Sequence, residues 1–118
     1  MEDLKARFDT AVLDWEEGYR RVEATRADPA RNRNMGRVVT AVMDELRKRL
    51  GSRFTVTELV DLYREWGDVL SDVGMAALPP GADLIDVSAG CDAAFYLYMR
   101  EAQDFAGGRP MHAARQSN

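Results

Sequence analysis

The apolar positions of the chain fall at helical spacing in four stretches. In the first, from about Asp3 to Arg26, Leu4, Phe8, Ala11, Trp15, Gly18 and Val22 follow a 4-3-4-3-4 spacing. That spacing lines one side of an α-helix. Val12 and Tyr19 widen the seam. Glu2 and Asp3 at its start, and Arg20, Arg21 and Arg26 near its end, suit the helix dipole. A mid-helix glycine costs about 1 kcal/mol relative to alanine, so Gly18 is expected to mark a close approach of another helix.

Asp28-Pro29 stops this helix and starts the next. Aspartate is a good N-cap, and proline fits the first helical position. Met35, Val38, Val39, Val42, Leu46 and Leu50 then form an apolar stripe that ends at Gly51, a C-terminal cap residue. Asp44 with Lys48, and Glu45 with Arg49, are favourably oriented i,i+4 pairs.

The third stretch opens with RFTVTEL. Thr55 and Glu58 have the spacing of a capping box, and Phe54 and Leu59 that of a hydrophobic staple. Leu59, Leu62, Tyr63, Trp66, Val69, Leu70 and Val73 continue the expected buried face to Gly74. MAALPPGA is a connection stiffened by two prolines, after which Asp83 caps a fourth helix expected to reach about Ala106. Its seam is Leu84, Val87, Cys91, Ala94, Tyr98, Ala102 and Phe105.

This fourth helix is apolar at every position from Ala93 to Met99. A helix apolar all round is buried all round. It is therefore either central in its own fold or covered in part by another chain, and the second reading favours a homodimer through helix 4. The small run Ser88-Ala89-Gly90-Cys91 would admit a neighbouring helix. Tyr96 and Tyr98 lie on different faces, so one of them is expected to anchor an interface.

The pattern predicts an all-α fold: a single domain over residues 1–106, built as a four-helix antiparallel bundle. Short links at 27–30 and 51–54 make hairpins of helices 1–2 and 2–3. Residues 107–118 have no periodicity and are expected to form a disordered tail.

Composition agrees with one folded domain. The chain has 118 residues, 46% hydrophobic and 31% charged, which is enough apolar content for a modest core. No apolar run approaches a membrane span, and the charged N-terminus does not resemble a secretory signal. Cys91, the single cysteine, excludes an internal disulfide. A cytoplasmic protein without membrane contact is expected. Fourteen of the sixteen basic residues are arginine. This resembles the coding bias of a GC-rich genome and weakens any one arginine as a functional signal.

Charge changes the picture more. Residues 1–19 carry net −4, residues 20–53 net +6 and residues 54–118 net −6. The basic middle either neutralises the acidic ends across the bundle or faces an acidic partner. Arg47, Lys48 and Arg49 sit at the end of helix 2, where the dipole favours them. Arg31, Arg33 and Arg37 sit near its start, where it does not. They need acidic residues from a neighbouring helix or from outside.

Candidate chemistry is sparse. His112, the one histidine, lies in the tail. No phosphate-binding glycine loop and no histidine or cysteine metal pattern is present, so no catalytic residue, metal or cofactor is expected. Helix, turn, helix around residues 50–56 suggests a DNA reader, but the outer face of the third helix carries Glu58, Asp61, Glu65 and Asp68 against Arg64. Phosphates would repel it.

The leading expectation is a non-enzymatic interaction or regulatory protein that binds a protein partner or itself. Phe95, Tyr96, Tyr98 and Met99 would supply affinity, and Arg31, Arg33 and Arg37 orientation. One alternative is a nucleic-acid-associated or transcription-linked factor using basic helix 2. A second is a small-molecule binder or enzyme with an inter-helix pocket lined by Trp15, Trp66 and Tyr98.

Overall fold

A computed structural model describes the backbone of residues 4–106 and 109–110 and the side chains of residues 9–105. Leu4 and Phe8 of the first seam, and His112, therefore lie outside the described side chains. Four helices account for most of the described chain: α1 (Leu4–Ala24), α2 (Pro29–Leu50), α3 (Val56–Ala76) and α4 (Leu84–Met99). A two-residue antiparallel ladder, β1 (Phe105–Ala106) with β2 (Arg109–Pro110), follows.

The helix ends form as their sequences dictate. Asp28 accepts from the Arg31 amide at 3.2 Å, with Pro29 at the first helical position. Gly51 closes α2 at φ +70°, the left-handed region that glycine tolerates. The capping box is complete. Glu58 N donates to Thr55 Oγ1 at 3.2 Å, and Thr55 N donates to Glu58 Oε1 at 3.1 Å.

α4 ends at Met99, seven residues short of the expected limit near Ala106. The apolar spacing does continue through Ala102, but in tight turns rather than helix. Glu101 N donates to Tyr98 O at 2.9 Å, and Ala102 N to Met99 O at 3.0 Å. The turning chain reaches the start of α3, where Gln103 N donates to Phe54 O and the Asp104 carboxylate accepts from Val56 N, both at 2.9 Å. A staple that looked local is thus locked by a segment 48 residues on.

α4 is the central helix. It packs most extensively against α1, then α2, then α3. α1 and α2 meet narrowly, so the expected close hairpin between them is replaced by two separate packings onto α4. Their link is held by Asn32, which donates to Val22 O at 3.2 Å and to Thr25 Oγ1 at 3.0 Å.

Glycines set the closeness. A Cβ on Gly18 would collide with Asp92 Cβ and lie 2.9 Å from Ala89 O, so α1 meets α4 there backbone to backbone. A Cβ on Gly90 would lie 2.7 Å from Val38, where α4 meets α2. The small run in α4 therefore receives two helices of its own chain.

The core runs along α4. Trp15 stacks on Phe95 at 5.3 Å and meets Tyr63 edge-on at 5.6 Å. Phe54 stacks on Tyr98 at 4.5 Å, and the Tyr98 hydroxyl donates to Gly51 O. Met35, Val38, Val42, Leu46, Leu59 and Leu70 complete it. Trp66 and Val69, expected inside, are exposed. α3 turns Leu59, Leu62, Leu70 and Gly74 inward, which leaves Trp66 at the edge beneath the Arg49 guanidinium, 4.7 Å from its ring.

Candidate functional site

The seven residues expected to bind a partner separate into four groups. Phe95, Tyr98 and Met99 are core residues, each at most 2% exposed. Their burial corrects the expectation that they form a surface patch. α1, α2 and α3 of the same chain enclose α4, so its apolar circumference needs no second chain. Tyr96 is half-buried and stacks on Tyr19 of α1 at 4.7 Å. The inter-helix pocket expected between Trp15, Trp66 and Tyr98 does not form. Trp15 and Tyr98 are packed inside while Trp66 lies outside.

The arginines divide as well. Arg31 Nε reaches Asp86 Oδ1 of α4 at 2.9 Å, and Asp86 is buried. The unfavourable place of Arg31 near the helix start is thus offset inside the fold. Arg33 and Arg37 are exposed, and neither forms an ion pair among the described residues.

Between them lies Gly36. It is exposed, and a Cβ there would meet nothing within 4 Å. Gly18, Gly74 and Gly90 each admit a neighbouring helix, but Gly36 serves no such contact. Asn32, Arg33, Gly36, Arg37, Thr40, Ala41 and Ala77 line a shallow depression of about 690 Å³ on this outer face of α2, together with Asp44, whose carboxylate is paired with Arg47 at 3.3 Å. The small side chains leave the α2 backbone approachable, and the two guanidinium groups rim it. A separate apolar groove of about 250 Å³ is lined in part by Met75, Leu78, Pro79, Pro80 and Leu84. Met75, Leu84 and Ile85 are 45%, 64% and 52% exposed.

A second concavity, of about 330 Å³, lies between α3 and α4, lined in part by Tyr63, Gly67, Ser71, Ser88, Cys91 and Asp92. Tyr63 Oη donates to Asp92 Oδ1 at 3.1 Å. Burial pushes the Asp92 carboxyl up to about 6; the Asp14 carboxylate adds to the rise, and the Tyr63 hydrogen bond and Arg21 oppose it. Burial likewise raises Tyr63, with the Asp92 and Asp14 charges adding to it. Burial pushes the Cys91 thiol up to about 12, which leaves it protonated and a poor nucleophile at neutral pH. Among the described residues no three histidine, cysteine or acidic side chains gather as a metal site, and no helix is long and apolar enough to cross a membrane.

Sequence reasoning passed over Gly36, the pairing of Tyr63 with Asp92, and Ile85; Leu84, expected in the buried seam of α4, is exposed instead, because it sits in the first turn of the helix. A glycine inside an amphipathic helix, flanked by arginines, was the available signal for Gly36. The pairing of Tyr63 and Asp92 spans 29 residues and has no signature in either segment. No family model, curated protein or solved structure matches the chain.

Proposed function

We propose that the chain is a non-enzymatic helical interaction or regulatory protein that docks an acidic protein segment on the outer face of α2. The carrying observation is Gly36. A glycine inside a helix costs about 1 kcal/mol, and the fold gives this one no steric reason. It lies between Arg33 and Arg37, which have no carboxylate partner in the described chain. A docked acidic helix would use both features. Its backbone approaches at Gly36 and its carboxylates meet the guanidinium groups. The exposed apolar residues Met75, Leu84 and Ile85 offer further contact area outside the charged part.

The test is an NMR titration with a synthetic helical peptide that carries glutamates four residues apart on an alanine background. Amide shifts at residues 32–41 and 77, reduced by salt and abolished in Arg33→Glu/Arg37→Glu, are the expected result. Absence of shifts there overturns the reading. Stronger binding to a mixed-sequence nucleic acid than to the peptide would instead favour a nucleic-acid-associated factor.

The cleft at Tyr63 and Asp92 supports a second reading as a small-molecule binder. Gly67 lines it, and a Cβ on Gly67 would also meet nothing within 4 Å. Screening small polar ligands by shifts at Ser71, Ser88 and Asp92 tests this reading. Complete absence of shifts there counts against it.

A further inference from the structure

We infer that the acidic helix taken by the α2 face is α3 of a second copy of the chain. Two copies then pair with α2 of each against α3 of the other. This rests on the reading of the α2 face as a docking surface.

α3 carries Glu58, Asp61, Glu65, Asp68 and Asp72 at 3-4-3-4 spacing, one stripe along a helix. All five are exposed. Glu58 serves the capping box. The other four form no ion pair among the described residues. Carboxylates one turn apart repel each other, so this stripe is as uncompensated within its own chain as Arg33 and Arg37 are.

The two sets match in spacing. A rise of 1.5 Å per residue places Arg33 and Arg37 about 6 Å apart along α2, and Asp68 and Asp72 about 6 Å apart along α3. α2 and α3 are also neighbours, and Ala77 at the end of α3 lines the depression beside Arg37. A two-fold arrangement can therefore bring each basic face onto the other copy's acidic stripe, the isologous form of most homodimers. One contact relieves both charge excesses, with Gly36 where the two backbones come nearest. Each chain carries net −4, so association depends on this local pairing rather than on overall charge.

Charge reversal tests it in the intact chain. Light scattering and sedimentation at low salt are expected to give the wild type twice the chain mass, falling to one chain mass as salt screens the pairs. Arg33→Glu/Arg37→Glu is expected to be monomeric, and so is Asp68→Arg/Asp72→Arg. Both are exposed substitutions whose folding circular dichroism verifies. An equimolar mixture of the two variants is expected to form a one-to-one heterodimer, because every facing pair is then opposite in sign. Overturning results are a monomeric wild type, variants that self-associate as the wild type does, or a mixture that stays monomeric. A monomeric wild type that still binds the acidic peptide at Arg33 and Arg37 overturns the self-pairing while leaving the docking surface standing.

Discussion

Arg31 and Asp86 are joined at 2.9 Å between α2 and α4. This contact separates Arg31 from the two arginines that follow it. Asp86 is buried, and a buried carboxylate deprived of its cation is destabilising. Arg31→Gln is therefore expected to lower the thermal midpoint while leaving binding of the acidic peptide unchanged. Arg33→Gln is expected to do the reverse. Calorimetry and the peptide titration on both variants check this.

Asp92 gives stability a dependence on pH. Its folded-state value, about 6, lies above its ordinary 3.8. The unfolded chain thus gives up this proton first as pH rises. The contribution is full below the ordinary value and is lost as pH passes through about 6. Asp92→Asn keeps an acceptor for the Tyr63 hydroxyl and removes the charge. It is expected to stabilise the protein above pH 7 by on the order of 2 kcal/mol, after allowance for partial solvent screening. Urea midpoints of both proteins at acid and neutral pH test this; parallel curves would contradict it.

Gly18 and Gly67 should respond in opposite directions. A methyl group at Gly18 meets Asp92 and Ala89, and Gly18→Ala is expected to cost about 1–3 kcal/mol through overpacking. Gly67→Ala meets nothing and is expected to gain about 1 kcal/mol from helix propensity. Chemical denaturation distinguishes the two.

Tyr98 joins the end of α4 to the α2–α3 turn through Phe54 and Gly51. Tyr98→Phe removes one hydrogen bond and is expected to cost about 1 kcal/mol. Tyr98→Ala opens the core and is expected to cost about 3–5 kcal/mol. Neither is expected to alter peptide affinity of the folded fraction, since Tyr98 is a core residue. Paired stability and binding measurements check both statements.

Much of the fold was legible in the sequence because its signals are local. The Asp28 cap, the Gly51 stop and the Thr55–Glu58 box each act within a few residues, and the seam residues Trp15, Val38, Leu46 and Leu59 follow helical periodicity. The full apolar circumference of α4 marked it as either central or shared, and only packing could decide between them. The end of α4 is not legible, because Ala102 and Phe105 keep helical spacing while the chain turns to reach Phe54. The exposure of Trp66 is not legible either, because hydrophobicity alone does not say which side of a seam is its edge. Of the candidate site, Arg33 and Arg37 were legible as charges out of place on the helix dipole. Whether Arg31 belonged with them depended on Asp86, 55 residues away.

The role assigned to Gly36 is tested most directly by Gly36→Leu, read for stability and peptide affinity in the same preparation. Leucine is a strong helix former and meets no atom of the fold at its Cβ, so stability is expected to rise by about 1 kcal/mol. The side chain fills the depression between Arg33 and Arg37, so affinity is expected to fall by about tenfold through steric overlap. A more stable protein that binds the peptide as the wild type does would contradict the assignment of this face.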